Sequence, residues 1–126
     1  MGKIEERIRI LKIEPQKVSY EKEINNDLEG IQGEVEGLFE CIYLDEDCIL
    51  VCNEEGKLNG MELNRRVGND IIAGPFFIVG DSNDGEFISL TDEQVEQYKK
   101  EFSEIQEFTG EEPEAQAWME FREFEF

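Results

Sequence analysis

The longest mainly apolar run in the chain, Ile71 to Gly80 (IIAGPFFIVG), is about half the length that a bilayer-spanning helix needs. It reads instead as a buried strand from Ile71 to Val79, bent at Gly74-Pro75 because proline cannot donate to a central ladder. Shorter runs with a period of two surround it. Ile8, Ile10 and Lys12 alternate with Arg7, Arg9 and Leu11, and Val18, Tyr20, Lys22 and Ile24 repeat the pattern after Pro15, which predicts a hairpin. Leu38 to Leu44 and Cys48 to Asn53 are β-rich runs joined by Asp45-Glu46-Asp47, a second hairpin. Asn53-Glu54-Glu55-Gly56 is a turn, Lys57 to Gly68 reads as an irregular or short helical connection, and Asp84-Gly85 leads into a short strand from Glu86 to Ser89.

Two segments follow the helical period. Asn25 or Asn26 can cap a short helix with Leu28, Ile31 and Val35 on one side, ending near Gly37. A longer helix runs from Asp92 to about Phe108. Thr91 and Gln94 form a capping box, Leu90 and Val95 a hydrophobic staple, and Val95, Tyr98, Phe102, Ile105 and Phe108 one apolar stripe. The expected fold class is α+β: a small, mostly antiparallel sheet packed by one short and one long amphipathic helix, with an acidic, aromatic C-terminal tail. The organisation is one domain over 1–108 followed by an extension over 109–126.

Charge limits what such a domain can do. The 126 residues carry 32 acidic and 12 basic side chains and no histidine, a formal charge of −20. Without histidine there is no Ser-His-Asp or Cys-His pair, no imidazole zinc ligand and no side chain that titrates unperturbed near neutrality. So strong a negative charge repels nucleic acid and anionic membranes and attracts cationic surfaces, so neither direct nucleic-acid binding nor membrane binding is expected. No apolar h-region follows the scattered charges at Lys3, Glu5, Glu6, Arg7 and Arg9, so no signal peptide is expected. Three cysteines, an odd number, fit a reducing compartment. The expected location is the cytoplasm of a host cell.

The sequence NEEGKL at 53–58, then Asn64-Arg65, then DIIAGPFFIVG at 70–80, resembles the family called domain of unknown function 3846. Glu14-Pro15 and SLTDEQ at 89–94 extend the resemblance to roughly residues 8 to 103. That family is widespread in phages and conjugative elements of Gram-positive bacteria, so the resemblance implies a genomic setting rather than a chemistry. The chain departs from the pattern in a shorter loop between Arg66 and Asp70, in Gly30 and Gly33 within the first helix, and in the long acidic tail after Phe108.

Several constellations compete for a function. On a helix turning about 100° per residue, Glu93, Glu96, Glu104 and Glu107 fall within about 80° of one another, opposite the apolar stripe, along roughly 21 Å of axis. Such a row can imitate a run of phosphates, although any exposed helix face tends to be charged. Glu111 and Glu112, with Trp118 and Phe121, could dock into a basic, apolar groove, or the aromatics could fold back on the sheet. A three-residue loop puts Cys41 on the face opposite Cys48 and Cys52, and a two-residue loop sets it across from Cys52; neither supplies a fourth zinc ligand unaided. Asp81 to Asp92 fails the calcium-loop pattern, with Glu86 where glycine belongs and Asp92 where glutamate belongs, and reads as a hairpin turn. Arg65 and Arg66 beside Asn64, with Lys57 and Asn53, could hold a phosphate or nucleotide, though arginines in acidic surroundings more often form salt bridges. No nucleophile motif, phosphate-binding glycine loop or cofactor fingerprint is present, and no metal or cofactor is expected.

The leading expectation is a non-enzymatic inhibitor from a phage or mobile element. It would block a host defence nuclease or effector of the anti-CRISPR or antirestriction kind, its carboxylates filling a Lys/Arg channel meant for nucleic acid. The alternative is a small-ligand or nucleotide-binding accessory module centred on Asn53, Lys57, Asn64 and Arg65.

Overall fold

In the computed structural model, residues 5–45 and 47–116 are described, and Trp118, Phe121 and the rest of the aromatic tail lie outside the described residues. The alternating N-terminal runs form β1 (Arg7–Ile13) and β2 (Tyr20–Asn25), an antiparallel hairpin with Ile8 opposite Ile24. Helix α1 (Leu28–Val35) is capped by Asp27, one residue beyond the expected asparagines, whose Oδ1 accepts from the Gly30 N–H at 2.7 Å. It ends where Glu36 enters the left-handed region at φ 64°. The second hairpin, β3 (Phe39–Tyr43) and β4 (Cys48–Asn53), turns through the three-residue loop 45–47. After it come β5 (Leu63–Val67), β6 (Asp70–Ala73), β7 (Phe76–Asp81), β8 (Phe87–Ile88), α2 (Asp92–Glu101) and one 3-10 turn (Pro113–Ala115).

The main sheet runs β2-β1-β7-β4-β3, with β8 on the end of β7, and every strand pairing among the described residues is antiparallel. Strands β7 and β4 sit inside it, and their alternate side chains feed two cores. Ile49, Val51, Phe77 and Val79 join Ile8, Ile10, Ile31 and Val35 under α1. Leu50, Cys52, Phe76 and Ile78 join Leu11, Ile72, Val95, Tyr98 and Phe102 beneath α2 and β6. The fold is therefore α+β, an antiparallel sheet covered on both faces. No helix among the described residues is long and apolar enough to cross a membrane.

Three sequence expectations are corrected. Ile71 to Val79 is not one bent strand but two, in different sheets, because the chain reverses at Gly74. Gly74 sits at φ 89°, and a Cβ there would lie 2.6 Å from Met61 Sδ, so only glycine fits the reversal. The Lys57–Gly68 connection contains β5, which pairs with β6 in a separate two-stranded sheet with an irregularity between Leu63 and Arg65. Finally, the long helix stops at Glu101 instead of near Phe108.

The early stop has a tertiary cause. The Phe102 carbonyl, which in a longer helix would take the N–H four residues on, accepts instead from Arg65 Nε at 3.3 Å. The chain then runs back along β5: Gln106 Oε1 accepts from the Arg66 N–H at 2.8 Å, and Arg66 lies 5.9 Å from the centre of the Phe108 ring. Arg66 also pairs with Glu114 at 3.6 Å, and the 3-10 turn rests against β6. Part of the extension that the sequence separates at residue 109 thus packs onto the domain.

Candidate functional site

The turn after β4 builds a cleft of about 310 Å³ against β6, lined among others by Glu40, Cys52, Asn53, Lys57 and Asp70. Asn53 is buried and committed to structure: its Nδ2 donates to the Val35 carbonyl at 2.9 Å and its Oδ1 accepts from the Glu55 N–H at 2.7 Å. Those bonds tie the C-terminal end of α1 to the turn. Gly56 lies so close to β6 that a Cβ would come within 2.5 Å of the Ala73 carbonyl oxygen.

Lys57 reaches across the cleft to Asp70 at 2.5 Å. Burial pushes the Glu40 carboxyl above its ordinary range, and the charges of Glu54 and Asp70 push it further. The cleft is therefore an acidic place whose ammonium already has a partner. A phosphate entering it would meet Glu40, Glu54, Glu55 and Asp70 together.

Asn64 and Arg65 lie elsewhere. Asn64 is fully buried between β1 and the β6–β7 reversal, donating to the carbonyls of Ile13 at 3.0 Å and Gly74 at 2.9 Å. Arg65 is equally buried and has no carboxylate partner among the described residues. Its guanidinium donates to the Asn64 side chain at 2.9 Å, the Lys17 carbonyl at 2.8 Å and the Phe102 carbonyl. The four residues Asn53, Lys57, Asn64 and Arg65 thus do not assemble one ligand site: two line the cleft and two are internal struts.

The four-glutamate row is also not assembled as expected. Glu93 and Glu96 are exposed on α2, but Glu104 and Glu107 lie past its end and no helix aligns them. None of the four has an ion-pair partner among the described residues. Glu111 is exposed, whereas Glu112 folds onto its own turn, accepting from the N–H groups of Thr109 at 3.0 Å and Gly110 at 2.9 Å. The Thr109 N–H above all holds the Glu112 carboxyl below its ordinary range.

Cys48 and Cys52 are buried and Cys41 is exposed. The register sets Cys41 opposite Val51, on the face away from Cys48 and Cys52, as a three-residue loop requires. Burial pushes the Cys48 thiol to about 11 and the Cys52 thiol to about 12, so neither is a thiolate at neutral pH. No group of His, Cys, Asp or Glu among the described residues is arranged to hold a metal. Around residues 81–86 the side chains of Asp81 and Ser82 accept turn N–H groups, the hairpin the sequence predicts.

Charge is distributed in a way that the reading of the helix overlooked. Between Lys22 and Lys57 the sequence has no basic residue, while residues 23–56 contain eleven acidic ones. The stretch ends β2 and builds α1, β3 and β4, so those last three elements carry no lysine or arginine of their own; the cations that reach them, Lys12 and Lys22 at Glu34 and Lys57 in the cleft, come from elsewhere in the chain. Of the acids there, Glu23 pairs with Arg7, and Glu34 with Lys12 and Lys22. Glu36, Glu40, Asp47, Glu54 and Glu55 have no basic partner among the described residues. The signal was present as a gap between lysines, which a search for rows of glutamate does not register.

A model of the family described as domain of unknown function (DUF3846) matches residues 8–103. The chain belongs to that family. No curated protein and no solved structure matches it. The DUF3846 match begins within β1 and ends just past α2, so it contains both sheets and both helices. Glu104, Glu107, Glu111 and Glu112 fall outside it, whereas the cation-free stretch falls inside.

Proposed function

We propose that this DUF3846 protein is a non-enzymatic inhibitor that blocks a host nucleic-acid-processing defence protein, of the antirestriction or anti-CRISPR kind, by standing in for the polynucleotide. The observation that carries the reading is the stretch 23–56, which has eleven carboxylates and no lysine or arginine and which builds α1, β3 and β4, where Glu36, Glu40, Asp47, Glu54 and Glu55 have no ion-pair partner among the described residues. A groove that evolved to neutralise phosphates with Lys and Arg gains the same counterion release and Coulomb attraction from such a surface. The setting in phages and conjugative elements that the family resemblance implies fits an inhibitor working in the host cytoplasm. The acidic cleft at Lys57, where the ammonium is already held by Asp70, favours a cationic protein partner over a nucleotide.

The test is competition. Restriction enzymes and RNA-guided nucleases would be loaded with a labelled duplex, and the protein titrated in while anisotropy is followed. Displacement that weakens steeply as salt rises is expected. Full retention of the duplex by every member of the set, at large protein excess and low salt, rejects the reading.

A further inference from the structure

The two edges of the main sheet differ in a way that bears on how a partner is held. Edge strand β2 presents Glu21, Lys22 and Glu23, the charged protection that discourages strand addition. Edge strand β3 reads Phe-Glu-Cys-Ile-Tyr, with one charge. Its backbone parity is fixed at both ends: the Leu44 N–H donates to the Cys48 carbonyl at 3.0 Å, and the Glu54 N–H donates to the Leu38 carbonyl at 2.8 Å. In an antiparallel pair, bonded and non-bonded positions alternate, so Leu38, Glu40, Ile42 and Leu44 face β4. Phe39, Cys41 and Tyr43 must then turn their N–H and C=O groups outward, and none of these finds a partner among the described residues.

Apolar surface accompanies this free backbone. Tyr43 is 70% exposed and shares one face with the exposed Cys41 and the half-buried Phe39, while Leu38, 61% exposed, lies just before the strand on the face of Glu40. Acid flanks it: Glu40 projects from the middle of the strand, Glu36 and Glu54 lie at one end and Asp47 at the other, and none of the four has an ion-pair partner among the described residues. Burial above all raises the Glu40 carboxyl, with Glu54 and Asp70 adding to it and Lys57 opposing it.

We propose that the open edge of β3 is a docking strand for an extended segment of the partner, one that alternates Lys or Arg with apolar residues and adds to the sheet beside β3. Main-chain bonds to Phe39, Cys41 and Tyr43 would provide the hold. The partner's apolar side chains would lie along Phe39, Cys41 and Tyr43, and its cations would meet Glu40 and the acids at either end. A second copy of this chain is the weaker occupant, because it brings another −20 to the contact. The inference rests on the reading of this protein as an acidic inhibitor of a cationic partner and specifies the contact that reading leaves open.

The probe is a synthetic seven-residue peptide alternating lysine and valine, followed by amide shifts of the labelled full-length protein at low salt. Shifts centred on Phe39, Cys41 and Tyr43 are expected. Methylating alternate peptide nitrogens, which removes donors but keeps every charge, should weaken binding by about tenfold or more. Cys41→Pro removes an outward N–H and leaves the β3–β4 bonds intact, so it should lose the peptide while the thermal midpoint holds. The methylated peptide carries the test alone if that variant fails to fold. Failure of the unmodified peptide to bind, or binding that is indifferent to methylation and spread over α1, overturns the docking strand. A dimer paired through β3 in sedimentation overturns it too. Salt-dependent displacement of nucleic acid that survives in Cys41→Pro would leave the acidic inhibitor standing and remove only the strand.

Discussion

Arg65 on β5 donates through Nε to the carbonyl of Phe102 at the end of α2, 3.3 Å away, and so joins the small second sheet to the helix across the interior. Its other nitrogens hold the Lys17 carbonyl and the Asn64 side chain, so one planar fork satisfies three buried acceptors without a carboxylate. A lysine ammonium on a flexible stem cannot reproduce that geometry. Arg65→Lys is expected to cost about 2–3 kcal/mol, and Arg65→Ala, which adds a cavity, about 3–5 kcal/mol. Urea unfolding midpoints at constant slope would measure both, and an Arg65→Lys loss below about 1 kcal/mol would contradict the strut role.

Lys12 is the other deeply placed cation, and it works differently. Its ammonium lies 2.5 Å from Glu34 on α1, and Lys22 reaches the same carboxylate at 2.9 Å. Burial pushes the Glu34 carboxyl up, but the bonds from Lys12 and Lys22 outweigh it and hold the folded pKa below the ordinary value. The stability this contributes is present above the unfolded carboxylate pKa and lost as pH falls through the lower folded one. Glu34→Gln should lower stability at neutral pH by about 2 kcal/mol and flatten the acid limb between about pH 5 and pH 3. A variant whose unfolding free energy falls with acid as steeply as the parent's would show that other carboxylates govern the limb.

Helix α2 shows how far sequence carries and where it stops. Its start was legible because the signals are local: Thr91 Oγ1 accepts from the Gln94 N–H at 3.1 Å, and Gln94 Oε1 returns the bond to the Thr91 N–H at 2.9 Å. Its end was not legible, because Arg65 is 37 residues away in sequence and its claim on Phe102 is purely tertiary. The same helical period that placed Val95, Tyr98 and Phe102 correctly in the core then carried Ile105, Glu104 and Glu107 along a helix that does not continue. Strand β5 was hidden for a related reason. Asn64 and Arg65 look like surface residues and are both fully buried, so the polar pattern concealed a strand. Both hairpins, whose pairing partners are neighbours in sequence, are legible as hairpins, but the register of the second stays open in the sequence between a two- and a three-residue loop.

The capping box gives a small effect with a defined sign. Thr91→Ala should destabilise the fold by about 1 kcal/mol, because the Gln94 N–H loses its acceptor at an exposed helix start. Thr91→Ser or Thr91→Asp should restore most of it, and Thr91→Asp should do so with a small gain from the helix dipole. Thermal midpoints of the three variants, measured in one buffer, would order them.

The last prediction concerns which acids matter. Substituting Glu36, Glu40, Glu54 and Glu55 by glutamine removes four charges from α1's end, β3 and the turn after β4, where Glu40 is repelled by Glu54 and Asp70. None of the four makes a contact ion pair among the described residues, and the attraction of Lys57 for Glu40 acts only at longer range. Relief of repulsion should leave the thermal midpoint unchanged or raise it by a few degrees, on the order of 1 kcal/mol. Binding to a cation-lined groove should fall by about tenfold or more, with a shallower dependence on salt, because fewer phosphate-like contacts are made. The matching variant at Glu93, Glu96, Glu104 and Glu107 changes net charge by the same amount but alters a set of side chains that no helix aligns. It should lose less. Equal losses from the two variants would mean that net charge alone drives association and that the α1, β3 and β4 side has no special part in it.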